Sequence, residues 1–272
     1  MRVGFIGLGS QGAPMARRII EGGYSTTLWA RRAATLEAFA DTEARVADSP
    51  ADLGHASDLV CLCVVGDADV EQVVQGENGV LAGMQRGGVI AIHSTVHPDT
   101  CRRLAEHCAR QGVSLIDAPV SGGGPAAEAG TLLVMAGGDE EVVQRCRPVF
   151  DTYADPVVHL GGLGSGQVTK LLNNLLFTAN LGTAATALAL GEQLGVSRER
   201  LAEVVSRGSS NSFALNSIRG SGGTLDRLAA MAGTLLQKDV RLVADLAQQA
   251  AATPGAVLDA ADAALALMDH PR

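Results

Sequence analysis

Residues 164–190 read GSGQVTKLLNNLLFTANLGTAATALAL, and this stretch decides how the chain divides. Glycines open it, Lys170, Asn173 and Asn174 follow, and no charge appears from 171 through 191. Positions three and four apart share a helix face, so Lys170 can point into the same space as Asn173 or Asn174. An amine and an amide at the start of a long apolar helix form a candidate acid/base site. The remainder predicts a buried helix over about 164–194, long enough to pass through a folded core. A bilayer span needs roughly 20 apolar residues. Asn173, Asn174 and Asn180 interrupt this run, so no membrane partner is expected.

Upstream of this helix the pattern alternates. Residues 3–7 form a short apolar run that leads into Gly7-Leu8-Gly9-Ser10-Gln11-Gly12 and then a helical spacing over 13–22. Strand, glycine turn and helix are the context a GxGxxG match requires. The first glycine permits the tight turn, the second lets backbone approach a pyrophosphate, and the third allows close helix–strand packing. The helix N-terminus offers N–H groups to phosphate. The alternative is an ordinary tight turn.

A second strand is expected over 25–30, and the residues after it bear on cofactor choice. A carboxylate there would hold a ribose 2′-hydroxyl, whereas arginine suits a 2′-phosphate. The sequence supplies Ala30, Arg31 and Arg32. Two guanidiniums and no carboxylate point to NADP, with NAD possible; the alternative is a pair of solvated arginines.

Strands over 58–65, 89–92 and 113–116, and helices over 67–75 and 98–111, predict right-handed βαβ units and a parallel sheet. Ligands bind beyond the carboxyl ends of such strands. Three loops are therefore of interest: 64–68 with Val64 and Val65, 93–98 with Thr95, and 117–125 with Ser121, Gly122 and Gly123. In the last, glycine N–H groups beside a serine hydroxyl can make an anion nest; a flexible crossover fits the composition equally. His93 and His97 lie close together, but no carboxylate or cysteine set accompanies them. No metal is expected, and both histidines can be read as solvated. Further strands are expected over 131–135 and 157–160, with a helix over 140–150.

After residue 160 strand alternation stops. Ser197 is a helix cap, and helices are expected over 226–236, 238–251 and 254–268, with breaks at 208–211 and 220–223. The expected domains are 1–162, binding NADP, and 163–272, all-α, serving substrate and self-association. The fold class is thus α/β: a Rossmann-type doubly wound parallel sheet, then an all-α domain, joined by a long interdomain helix.

Composition agrees. The 272 residues allow two ordinary domains, and 47% apolar content supports a real core. A net charge of −8 argues against nucleic acid or anionic membrane as partner. The five cysteines match no zinc or redox spacing. With no signal-peptide pattern at the N-terminus, the expected location is cytoplasmic.

The motifs GLGSQGAPMARRI, HSTVHPDT, DAPVSGGGPAAEAGTL, GSGQVTKLLNN and Gln237-Lys238-Asp239 occur in this order. Together they resemble the β-hydroxyacid dehydrogenase family over nearly the whole chain. The resemblance implies that Ser121, Gly122 and Gly123 bind a substrate carboxylate, that Lys170 is the acid/base, and that Asn174 or Asn173 orients substrate. It places Thr95 beside the nicotinamide and Lys238 and Asp239 at the site from the helical domain. It implies a small carboxylate substrate and a homodimer or homotetramer. Gln11, His93, Val65-Gly66 and Met231 depart from the family's usual methionine, aspartate, proline and phenylalanine. A catalytically silent dinucleotide-binding scaffold and an imine reductase are the alternatives; retention of Lys170 speaks against both.

Overall fold

The computed structural model describes residues 1–272. They form two compact units, Met1–Lys170 and Leu171–Arg272. The first begins β1 (Val3–Ile6), α1 (Gly12–Glu21), β2 (Thr26–Trp29), a 3-10 helix (Ala33–Phe39), β3 (Arg45–Val46), α2 (Pro50–His55), β4 (Leu59–Leu62). It continues α3 (Asp67–Gln75), α4 (Val80–Gly83), β5 (Val89–Ile92), α5 (Pro98–Arg110), β6 (Ser114–Asp117).

These six strands pair in parallel in the order β3-β2-β1-β4-β5-β6, the doubly wound arrangement of a Rossmann domain. The cause is legible in the strands. Every residue of β1, β4 and β5 is buried, as a parallel sheet covered on both faces requires. Alternate residues feed two separate cores: Phe5, Cys61 and Ala91 enter one, while Ile6, Val60, Leu62, Ile90 and Ile92 enter the other. Several helices begin at capping residues. Ser49 accepts from the Asp52 N–H ahead of α2, with Pro50 next in sequence.

The strands expected near 131–135 and 157–160 exist, but they do not extend this sheet. The chain runs β7 (Val120–Ser121), α6 (Gly123–Ala129), β8 (Leu132–Ala136), α7 (Glu140–Phe150), β9 (Ala154–His159). These strands form a second sheet, β7-β8-β9, in which β7 and β8 are antiparallel. A parallel neighbour for β6 would need a crossover of about a dozen residues. The chain leaves only Ala118 and Pro119 between β6 and β7. One bridge, Asp117 to Gly137, joins β6 to the residue after β8.

Helix α8 (Ser165–Gln193) leads from the first unit into the second. The second unit holds α9 (Arg198–Val205), α10 (Phe213–Gly220), α11 (Asp226–Gln249) and α12 (Ala256–Leu267), and no strand. Ser197 caps α9 as expected, accepting from the Arg200 N–H. The two helices read over 226–236 and 238–251 are one, because Leu236-Gln237-Lys238 contains no breaker and each residue favours helix. Helix α10, not anticipated between the two glycine breaks, starts at the Ser212 cap.

Leu171, Leu175, Leu181 and Leu188 of α8 pack with Ile218, Leu236, Val240 and Leu265 in the core of this unit. Leu172, Leu176 and Leu190 are half exposed in this chain, so α8 is buried along one stripe rather than all round. No helix is long and apolar enough to cross a membrane.

Candidate active site

The glycine turn between β1 and α1 shows three different needs for glycine. Gly7 has a φ of +101°, and a Cβ there would lie 2.1 Å from the Cys63 carbonyl oxygen. A Cβ on Gly12 would lie 1.9 Å from the Gly7 carbonyl oxygen. A Cβ on Gly9 would meet nothing within 4 Å. Packing therefore demands the outer two, while the middle one faces open space and leaves its backbone free to meet a ligand. Helix α1 carries no side-chain cap and no acid in its first turn. Such an end suits an anion, and the turn fits a dinucleotide pyrophosphate. Leu8 is a buried core residue, so only its backbone can take part, whereas Ser10 is exposed. The second glycine loop lies against this one: a Cβ on Gly124 would come within 2.7 Å of the Ser10 carbonyl oxygen. In that loop Gly122 and Gly123 adopt φ of 129° and 71°, beside a half-buried Ser121.

Arg31 and Arg32 follow β2 and are both exposed. Arg31 forms an ion pair with Asp69 in the first turn of α3. Val65 is exposed, and the Val64 N–H donates to the Ser94 hydroxyl at 2.8 Å, which ties the loop after β4 to the loop after β5.

The first turn of α8 is pinned to the same edge of the sheet. Asp117, the last residue of β6, is fully buried. Its two carboxylate oxygens accept from the Gly164 and Gln167 amides, each at 2.7 Å. Burial pushes its carboxyl above the ordinary range, and the bonds from Gly164 and Gln167 oppose that rise. The buried Gln167 side chain donates to the Ser94 carbonyl at 2.8 Å and accepts from the Val96 N–H at 3.1 Å. Lys170 stands three positions after Gln167 on the same helix and is half-buried. Asp117 and Gln167 thus join the segments that bear Thr95, Ser121 and Lys170.

In the second unit, the Asn174 amide donates to the Asp239 carboxylate at 2.6 Å, and the Asn173 amide donates to the Asn174 oxygen at 3.1 Å. Lys238 Nζ lies 3.0 Å from the other Asp239 oxygen. Asn173, Asn174, Lys238 and Asp239 therefore form one polar group.

His93 is not solvated. It is buried, with Nδ1 2.7 Å from the Ala118 carbonyl and Nε2 3.2 Å from the Tyr153 hydroxyl. Burial pushes its pKa down to about 4. The ring is neutral at pH 7, donating through Nδ1 and accepting through Nε2. His97 is largely buried as well, because its Nδ1 accepts from the Asp99 N–H and caps α5. Burial pushes the thiols up, those of Cys63 and Cys146 to about 12, so they are packing residues.

Three contributors escaped the sequence reading. Gln167 stands between the opening glycines and Lys170, in no recognised motif position. Asp117 looked like the edge of a glycine loop. Asp69 sits in the first turn of α3, and its partner lies 38 residues away.

Comparison with known proteins extends over almost the whole chain. The model of the NAD binding domain of 6-phosphogluconate dehydrogenase matches residues 2–161. The model described as NAD-binding of NADP-dependent 3-hydroxyisobutyrate dehydrogenase matches residues 164–269. The 2-(hydroxymethyl)glutarate dehydrogenase of Eubacterium barkeri is 34% identical, over 79% of this chain and 71% of its own. The 3-hydroxyisobutyrate dehydrogenase of Pseudomonas aeruginosa is 33% identical, over 93% of this chain and 87% of its own. The structure of Mycobacterium tuberculosis 3-hydroxyisobutyrate dehydrogenase with L-serine superposes with a TM-score of 0.85 at 27% identity, covering 99% of this chain and 95% of that one. With its open glycine turn and its Rossmann sheet, the chain belongs to the β-hydroxyacid dehydrogenase family, whose members are NAD(P)-dependent hydroxyacid oxidoreductases.

Proposed function

We propose that this protein catalyses reversible hydride transfer between NADP(H) and a small β-hydroxy acid or its semialdehyde, with Lys170 as acid/base. The observation that carries the reading is the joint at Asp117 and Gln167, which holds the segments of Thr95, Ser121 and Lys170 at one edge of the sheet. Ser121 with the Gly122 and Gly123 backbone takes the substrate carboxylate. Lys170 Nζ accepts the hydroxyl proton in oxidation and returns it in reduction. Asn173 and Asn174, on the next turn of α8, orient the substrate. The nicotinamide, when bound, exchanges hydride with the alcohol carbon.

Residues 1–162 hold the cofactor. The turn 7–12 meets the pyrophosphate, Arg31 and Arg32 meet the 2′-phosphate, Val64 and Val65 flank the dinucleotide, and Thr95 stands beside its ring. Residues 163–272 serve substrate and self-association, and Lys238 is assigned there to the cofactor. The compounds named with the relatives — 3-hydroxyisobutyrate, 2-(hydroxymethyl)glutarate and L-serine — share the unit HOCH2–CH(R)–COO−. This unit matches an anion nest beside a proton-transfer group, with R the variable part.

The test is steady-state kinetics with 3-hydroxyisobutyrate, tartronate semialdehyde, succinic semialdehyde and glyoxylate, each with NADP(H) and NAD(H). Turnover of at least one, faster with the phosphorylated cofactor, is expected. Absence of turnover with bound NADPH would favour a silent dinucleotide-binding scaffold.

A further inference from the structure

The sequence places no carboxylate at the end of β2, yet the structure brings one there from α3. Arg31 stands two residues after β2, and Asp69 lies in the first turn of α3, which follows β4. Strands β2 and β4 flank β1 in the sheet. The ion pair between Arg31 and Asp69 therefore crosses the carboxyl end of β1, the point from which the turn 7–12 springs. A dinucleotide whose pyrophosphate meets that turn lays its adenosine ribose toward the end of β2. The Arg31 side chain is 58% exposed and that of Asp69 27%, so the pair sits at an accessible rim. Its neighbour Asp67 is committed elsewhere, accepting from the Thr100 hydroxyl and the His97 N–H. Arg31 is the one ion-pair partner of Asp69.

We propose that Asp69 is a specificity-determining residue that restrains the preference for a 2′-phosphorylated dinucleotide. Its carboxylate occupies the Arg31 guanidinium when no nucleotide is bound, and a 2′-phosphate has to displace it. A guanidinium makes forked bonds to carboxylate and phosphate alike, so the two anions compete for one group. A free ribose hydroxyl does not enter this competition. Paired with Arg31, Asp69 thus weakens NADPH binding more than NADH binding. The proposal rests on the reading that Arg31 meets the 2′-phosphate.

The experiment measures dissociation constants of NADPH and NADH by fluorescence titration for the wild type, Asp69→Asn, Arg31→Ala and the double variant. Asp69→Asn is expected to raise the NADPH-over-NADH affinity ratio about threefold to tenfold, the range of an exposed ion pair plus removal of a nearby like charge. The gain should shrink between low and high salt. In the Arg31→Ala background Asp69→Asn should leave the ratio within about twofold, because the contested group is gone. An unchanged ratio in Asp69→Asn, with a lowered ratio in Arg31→Ala, overturns the proposal and leaves the cofactor reading standing. An equal gain with and without Arg31 also overturns it, since repulsion alone would then act. An unchanged ratio in Arg31→Ala removes the cofactor reading and the proposal together.

Discussion

In the proposed reaction the chemistry depends on Lys170. Positioned acid–base help is typically about 100- to 10,000-fold, so Lys170→Ala should lose turnover in that range while its NADPH dissociation constant, measured by titration, stays near wild type. Near-normal turnover in that variant would falsify the assignment. His93 offers a second prediction at this scale. Its pKa falls from an ordinary 6.5 to about 4 on folding, so the unfolded chain takes up a proton that the folded chain refuses. The stability this residue contributes is present above pH 6.5 and is lost as pH falls toward 4, amounting to about 3 kcal/mol at ~1.4 kcal/mol per pH unit. Resistance of the wild type to urea unfolding should weaken as pH falls across that window. His93→Gln, although less stable at pH 7, should show a flatter profile there.

At the scale of the element, the first turn of α8 is held by the Asp117 carboxylate at the end of β6 and by its own Gln167 side chain, which bonds the loop after β5. Gln167→Ala removes the bonds to the Ser94 carbonyl and the Val96 N–H and leaves both groups short of a partner. A cost of about 1–3 kcal/mol in unfolding free energy is expected, together with a fall in kcat larger than any change in NADPH affinity. The sequence showed the helix itself, because its length and lack of charge leave few alternatives. It did not show what anchors it. The bonds that Asp117 accepts span 47 and 50 residues, and no local spacing records such a contact. The same limit explains β7 and β3: a strand of two residues has no period to detect, so both stayed hidden, while the five four-residue strands of the parallel sheet did not. Likewise the glycine turn was readable and the Arg31–Asp69 contact was not, since only the first is contiguous.

At the scale of the whole molecule, the second unit leaves apolar side chains in the open. Phe213 and Met231 are 75% and 69% exposed, and Leu172, Leu176 and Leu235 are about half exposed. Large apolar side chains this exposed are candidates for burial between subunits. Light scattering should therefore report a dimer or tetramer, and Phe213→Asp with Met231→Asp should shift the distribution toward monomer. The lack of strands beyond β9 was visible in the sequence because strand signals stop near residue 160 while helical ones persist.

The two amides that satisfy Asp117 come from Gly164 and Gln167, beyond the last strand. A fragment severed at 162 would keep the acid and discard its donors, stranding a charge in an apolar interior. Anyone recombining this protein with a relative should splice downstream of Lys170, so that the opening of α8 travels with the nucleotide half as inseparable cargo.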